Sequence, residues 1–136
     1  MSRDMKTRQN IVRRPGKVHH LSRYLTLIHP SVDATNRIVK GGCIIQEGVV
    51  LGGQCEIGDH CVLYAKCVIG YESRVGDLVF VANNAIVGAR AKIGTGSFVG
   101  LNSVVLPYLE IGPWATVGAG SVVLKHVAPA SAVSGN

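Results

Sequence analysis

The sequence predicts an all-β fold in which short parallel strands coil around a narrow interior, and three observations support this class. Val, Ile or Leu recurs at every sixth residue from Val39 to Val123 without a break. A small residue stands two positions before most of these aliphatic residues. The position just after the aliphatic residue is glycine in nine of the fifteen units. Together these features define a six-residue repeat.

Each unit of the repeat is interpreted as a short strand followed by a corner. Residues two apart in a strand point to the same side, so the aliphatic residue and the small residue both face the interior. The glycine is expected to give the backbone the freedom to turn the corner. Three units close one triangular coil, and successive coils stack about 4.8 Å apart. The fifteen units therefore predict five coils with no external loop.

Composition and charge limit the classes of function. The chain has 136 residues, 47% hydrophobic and 16% charged, which is enough for one domain with a substantial core. It has no apolar run long enough for a membrane helix and no apolar stretch typical of a secretory signal, so we expect a cytoplasmic protein.

The net charge of +6 comes entirely from residues 1–25. This segment holds seven basic residues against one acidic residue, whereas residues 26–136 hold seven of each. We therefore expect a basic arm over 1–25, a coiled β domain over 26–136, and no nucleic-acid-binding surface on that domain. The arm contacts phosphate or an acidic partner, or it is a solvated terminus or surface helix, which is the favoured interpretation.

The cysteines and histidines give no sign of a metal site. All four cysteines occupy the small inward position, at Cys43, Cys55, Cys61 and Cys67. No CxxC spacing occurs, and zinc ligands must converge rather than form a ladder, so a structural role is favoured over a metal or disulfide role. Only His60 lies within the repeat, with no second histidine one coil away. Reduced cysteines also agree with a cytoplasmic location.

Four stretches of the sequence carry a resemblance to a known family: LIHPSV, CVLYAKCVIGYESRVGD, VGLNSVVLPYLEIG and VGAGSVVLKHV. In these stretches the chain resembles the left-handed parallel β-helix (hexapeptide-repeat) sugar acetyltransferases, in the branch of sialic-acid O-acetyltransferase and of the amino-sugar N-acetyltransferase of bacillosamine synthesis. The resemblance implies a homotrimer that uses acetyl-CoA, bound between neighbouring prisms, to acylate an amine or hydroxyl of a sugar or nucleotide-linked sugar. Residues 1–25 would then be the remnant of an α/β domain that precedes the β-helix in relatives.

The resemblance also implies where catalysis would take place. In the family, a histidine on a coil corner, followed by an acidic residue, acts as general base. Counting back from Ser103 without a gap places this corner at Tyr71, with Glu72 in the acidic position. Tyrosine, with an ordinary pKa of about 10, is a poor base near neutral pH. Glu72 acting by itself is the alternative.

Two further aromatic residues occupy positions where the family usually has polar groups. A second family histidine falls on Phe80, and a polar residue of the preceding corner falls on Tyr64. Phe98 lies one full coil beyond Phe80, so the two rings are expected to stack on the outer face. With Tyr71, these residues form either an altered acceptor pocket or the packing of a subunit interface.

The cofactor side of the site follows from the resemblance as well. The pantetheine arm of CoA would pass small residues that let the backbone approach closely. The implied residues are Gly88, Ala89, Gly100, Leu101, Gly118 and Ala119. Asn84 either faces acyl-CoA or only completes a corner, and Lys125 either meets the CoA phosphates or is a solvated charge. The two hypotheses are an acyl-CoA-dependent acyltransferase and a catalytically silent β-helix scaffold or ligand-binding module.

Overall fold

The computed structural model describes residues 25–135, so the predicted basic arm lies outside the described residues up to position 24. Within that range the chain forms strands of two residues each and no helix. The strands are β1 (Leu27–Ile28), β2 (Ile38–Val39), β3 (Ile44–Ile45), β4 (Val50–Leu51), β5 (Glu56–Ile57), β6 (Val62–Leu63), β7 (Val68–Ile69), β8 (Arg74–Val75), β9 (Phe80–Val81), β10 (Ile86–Val87), β11 (Lys92–Ile93), β12 (Phe98–Val99), β13 (Val104–Val105), β14 (Glu110–Ile111), β15 (Thr116–Val117), β16 (Val122–Val123) and β17 (Ala132–Val133).

The strands form three parallel sheets, which are the faces of a triangular left-handed β-helix. Sheet 1 has the order β1-β3-β6-β9-β12-β15-β17, sheet 2 the order β2-β5-β8-β11-β14, and sheet 3 the order β4-β7-β10-β13-β16. The chain visits sheets 2, 1 and 3 in turn. Corner I (40–42 and the equivalent positions of each later coil) joins sheet 2 to sheet 1, corner II (46–48 and equivalents) joins sheet 1 to sheet 3, and corner III (52–54 and equivalents) joins sheet 3 to sheet 2.

The interior confirms the predicted ladder of large and small residues. The aliphatic residues from Ile45 to Val123 at six-residue spacing are buried, and so are the small residues two positions before them. Several of the small residues are polar and donate a hydrogen bond to a glycine carbonyl in the next coil. Ser73 Oγ lies 2.7 Å from Gly88 O, and Cys61 Sγ lies 3.0 Å from Gly76 O. These bonds explain why Ser73 and Cys61 are tolerated in a narrow apolar core.

The glycines after the aliphatic residues have a different purpose from the one expected. Within the repeat, the residues with positive φ stand two positions later, and most of them are not glycine. A Cβ at Gly70 would lie 2.6 Å from Ala89 N and 2.7 Å from Val87 O, both backbone atoms of the next coil. Close approach between coils, rather than freedom to turn, therefore requires glycine at this position.

The β-helix has about six turns, and the predicted number of five was therefore slightly low. The six-residue repeat between Val39 and Val123 is unbroken, but sheet 1 continues beyond it at both ends. Leu27 of β1 pairs with Ile44, one position short of a full coil, and Ala132 of β17 pairs with Thr116, two positions short. Strands out of phase with the six-residue period could not be found by searching for that period.

The cysteines and His60 lie where the repeat predicted. All four cysteines are buried free thiols, and burial raises the pKa of Cys67 to about 12. His60 lies on corner I with a positive φ of 58°. Among residues 25–135, no three His, Cys, Asp or Glu side chains are arranged to hold a metal ion. The same range contains no helix with the length and apolar character needed to cross a membrane.

The three outer faces differ in polarity. On sheet 3 every outward residue is Val or Ile, and three of them are more than a third exposed: Val50, Ile86 and Val122. On sheet 1 the outward residues from β1 to β12 are also apolar. Sheet 2 carries a charged column instead, Glu56, Arg74, Lys92 and Glu110. The prism thus has one charged face and two apolar faces, and the apolar faces meet at corner II.

Candidate functional site

The two predicted catalytic residues lie together on corner III. Backbone hydrogen bonds join successive coils at this corner, because each positive-φ residue donates its N–H to a carbonyl oxygen of the preceding coil. Glu72 N lies 2.9 Å from Gly53 O, Arg90 N lies 2.8 Å from Tyr71 O, and Tyr108 N lies 3.0 Å from Ala89 O. Side chains one coil apart in sequence therefore stand above one another on a rigid edge.

Glu72 is held by an arginine of the next coil. Arg90 Nε donates to Glu72 Oε1 at 2.6 Å, and Arg90 Nη1 donates to the hydroxyl of Tyr108 at 2.8 Å. The side chains of Arg90 and Glu72 are 50% and 33% exposed, so the pair is open to solvent and to ligands. The hydrogen bonds to Glu72 and Tyr108 raise the pKa of Arg90 above its ordinary value.

Tyr71 packs against the same arginine. The Arg90 guanidinium carbon lies 5.7 Å from the centre of the Tyr71 ring and 5.8 Å from that of Tyr108, which is cation–π distance for both. On the other coil, a Cβ added at Gly53 would touch the Tyr71 ring at 3.3 Å. Tyr71 is nevertheless 46% exposed. Tyr71, Arg90 and Tyr108 form a stack along corner III. The Tyr71 hydroxyl makes no hydrogen bond to any described residue.

The predicted acceptor residues Tyr64 and Phe80 lie on a different part of the prism. Phe80 lies on the outer face of sheet 1 and is 5% exposed. The Tyr64 ring meets it edge-on, with centroids 6.0 Å apart and planes at 71°. Phe98 lies beside Phe80 in the neighbouring strand and packs against the same hydrophobic cluster. The structure therefore separates Tyr71 from the other two aromatic residues, because corners II and III are opposite edges of sheet 3.

The predicted cofactor residues are also divided between these two corners. Gly88 and Ala89 lie on corner III, one coil above Gly70 and Tyr71, and Lys125 is exposed beyond β16 at the same edge. Asn84, Gly100, Leu101, Gly118 and Ala119 lie on corner II. Glycine at two of these positions has a structural reason independent of any ligand. A Cβ added at Gly88 would lie 2.5 Å from a backbone atom of the next coil, and a Cβ added at Gly100 would lie 2.6 Å from one.

A polar cleft opens beside Glu72 on one side of corner III. Its volume is about 310 Å³, and its lining includes Gln54, Glu56, Glu72 and Arg74. A larger groove of about 630 Å³ runs along the charged face formed by sheet 2. The cleft leaves room for a small polar group next to the Glu72 carboxylate, whereas the groove touches none of the predicted site residues.

Arg90 and Tyr108 are the residues that sequence reasoning missed. Both were visible in principle, because Arg90 lies one full coil after Glu72, and Tyr108 lies one full coil after Arg90. The rule that placed Phe98 over Phe80 also places Arg90 over Glu72.

Comparison with known proteins identifies solved structures with a similar fold but no sequence family. No protein-family model and no curated protein sequence matches this chain. A mutant of perosamine N-acetyltransferase from Caulobacter crescentus, solved with CoA and GDP-perosamine, superimposes with a TM-score of 0.89 at 23% identity, covering 99% of this chain and 63% of that one. WeeI from Acinetobacter baumannii gives 0.80 at 21% identity, covering 99% and 64%. The acetyltransferase domain of PglB from Neisseria gonorrhoeae gives 0.81 at 20% identity, covering 83% and 56%.

These likenesses establish the architecture of the chain. It has the left-handed β-helix fold that the sequence predicted, and it shares that fold with proteins solved as acetyltransferases. The chain spans between 56% and 64% of the length of the three structures.

Proposed function

We propose that this chain transfers an acetyl group from acetyl-CoA to an amine or hydroxyl of a sugar or nucleotide-linked sugar. The observation that carries the proposal is the superposition over 99% of the chain on an acetyltransferase crystallised with CoA and GDP-perosamine. It is supported by Glu72, which lies partly exposed on a coil corner beside a polar cleft.

In this reaction the acceptor nitrogen or oxygen attacks the thioester carbonyl carbon of acetyl-CoA. The new C–N or C–O bond forms, the C–S bond breaks, and the acceptor's proton passes to the Glu72 carboxylate and from there to the departing CoA thiolate. We assign the base to Glu72, with Tyr71 in the place of the family histidine. The Tyr71 hydroxyl is assigned to hold the acceptor by a hydrogen bond.

The proposed functional unit is a homotrimer. Exposed aliphatic side chains on sheet 3 form an apolar column that a soluble monomer rarely presents. Contact between sheet 3 of one copy and sheet 1 of the next would be heterologous, and a heterologous contact that closes forms a ring. Around a threefold axis such a contact would place corner II of every copy near the axis and corner III of one copy near corner I of its neighbour.

The first experiment is a calorimetric titration with acetyl-CoA, which requires no knowledge of the acceptor. We expect saturable binding at one site per chain, with a micromolar dissociation constant corresponding to about −8 kcal/mol. A folded trimer that does not bind millimolar acetyl-CoA would contradict the proposal. With binding established, thiol release is measured against a panel of amino sugars and nucleotide-linked sugars.

Two variants then identify the base. Glu72→Gln keeps the size of the side chain but cannot accept a proton, so it is expected to abolish turnover and leave acetyl-CoA binding intact. Tyr71→Phe keeps the ring that packs on Arg90 and is expected to raise KM for the acceptor while retaining turnover. The reverse pattern would assign the base to Tyr71.

The second candidate function is a catalytically silent scaffold or ligand-binding module. It is favoured by Tyr71 in the place of the base and by the engagement of Glu72 Oε1 by Arg90. Acetyl-CoA binding without thiol release for any acceptor would support it.

For either function we propose a cytoplasmic location, which the four free thiols favour.

A further inference from the structure

We propose that Arg90 is a positioning residue that fixes one oxygen of the Glu72 carboxylate and leaves the other to receive the acceptor's proton. This inference rests on the proposed function, in which Glu72 is the base. It assigns to Arg90 the orienting role that a base on an exposed corner needs, because an unrestrained glutamate samples many rotamers.

The geometry around Arg90 is that of a side chain held on several sides. Its Nε bonds Glu72 Oε1, its Nη1 bonds the Tyr108 hydroxyl, and tyrosine rings of the coils below and above lie at cation–π distance. A planar guanidinium with two directed bonds and two ring contacts cannot rotate without losing several of them. The rigidity of the corner backbone is therefore transmitted to the carboxylate.

Glu72 is bonded through one oxygen only. Among the described residues, Oε1 accepts the Arg90 hydrogen bond and Oε2 accepts none. The other charged side chains that line the cleft beside Glu72 are Glu56 and Arg74, and they pair with each other at 3.9 Å on sheet 2. Arg90 is thus the charged group that sets the position of Glu72, while its second oxygen stays open to an acceptor.

A second charge pair shows that stacking of opposite charges does not by itself produce this arrangement. Arg74 and Glu56 are also one coil apart in sequence, yet Arg74 Nε lies 3.9 Å from Glu56 Oε2, whereas Arg90 Nε lies 2.6 Å from Glu72 Oε1. The difference coincides with the two tyrosines, which flank Arg90 and are absent around Arg74 within the described residues.

The test compares kcat and KM for Arg90→Gln, Arg90→Lys and the control Lys92→Gln. Lys92 is an exposed cation two residues away, on the charged face, so its replacement removes the same charge without touching Glu72. We expect Arg90→Gln to lower kcat about ten- to a hundred-fold, as for a misplaced catalytic group, with KM for acetyl-CoA within about twofold. Arg90→Lys is expected to recover part of the kcat, and Lys92→Gln to match the wild type.

A spectroscopic measurement tests the pairing without turnover. The Nε–H proton of Arg90 is expected to appear downfield in a ¹H–¹⁵N correlation spectrum and to move upfield in Glu72→Gln but not in Glu56→Gln. A kcat of Arg90→Gln equal to that of Lys92→Gln, or an Nε–H signal insensitive to Glu72→Gln, overturns the positioning role alone. A wild-type chain that binds acetyl-CoA but acetylates no acceptor overturns the proposed function and this role together.

Discussion

Replacing Gly70 by alanine is expected to destabilise the β-helix far more than replacing Gly120, although only Gly120 has a positive φ. Gly120 stands at a corner with φ of 71°, and a Cβ there would meet no atom within 4 Å. Gly70 has no such backbone requirement, but its Cβ would lie 2.6 to 2.7 Å from three backbone atoms of the next coil. The pair of variants separates turn freedom from close approach as the reason for glycine.

The magnitudes follow from these contacts. Gly120→Ala incurs the left-handed backbone penalty of about 1–2 kcal/mol, reduced by the lower entropy of the unfolded chain. In Gly70→Ala the coils must separate by about 0.8 Å to bring the Cβ contacts to an ordinary 3.4 Å. That shift stretches hydrogen bonds such as Gly70 N to Val87 O, now 2.8 Å. Two weakened bonds and the packing strain together give a loss of about 3–5 kcal/mol.

The assay is urea unfolding followed by far-UV circular dichroism at one protomer concentration for all variants. We expect the free energy of unfolding of Gly70→Ala to lie at least about 2 kcal/mol below that of Gly120→Ala. Gly118→Ala is the matched control at the same position of the repeat, because its Cβ would come no nearer than 3.2 Å to Ser134. Equal losses for Gly70 and Gly120, or a larger loss for Gly120, would refute the close-approach explanation.

Three further predictions concern the core and the outer faces. Because burial raises the pKa of Cys67 to about 12, its thiol should resist iodoacetamide at pH 8.5 until the chain is denatured, and rapid alkylation of the native protein would contradict this. The free energy of unfolding should also fall above about pH 9, where only the unfolded thiol ionises. Ser73→Ala should cost about 1–2 kcal/mol in urea unfolding, because it removes a buried 2.7 Å hydrogen bond and leaves the carbonyl of Gly88 without that donor. Ile86→Asp on the apolar face of sheet 3 should dissociate the proposed trimer in light scattering, whereas Ile38→Asp on the charged face should not. Dissociation by both variants would disprove the assignment of the interface.

The interior could be predicted from the sequence because its determinants are local. Leu63 in strand β6 and Cys61, the residue just before this strand, stand two positions apart, and both side chains are buried in the interior. The first is large and the second small because each occupies a fixed place in the six-residue unit. The period repeats these places without a shift from Val39 to Val123, so one unit defines all the others.

The ends of the prism, and the hydrogen bond that forms within the charge pair of the site, could not be predicted in the same way. At the N-terminal end Arg37 reaches the carbonyl oxygen of Leu51 from its Nε at 3.0 Å, a contact between an irregular segment and a regular strand that no period contains. The engagement of Glu72 by Arg90 depends on side-chain rotamers, because one-coil spacing alone also places Arg74 near Glu56 at a looser distance.

The strand pairing also has a consequence for how the chain reaches its native state. Every strand pairs with one that lies about a single coil away in the sequence, so the relative contact order of the strand pairing is about 0.13, in the range of mixed α/β domains rather than of all-β sandwiches. Each coil contacts only its neighbours, as in other solenoids. Folding is therefore expected to spread from any formed pair of coils in both directions, with each completed coil serving as the template for the next.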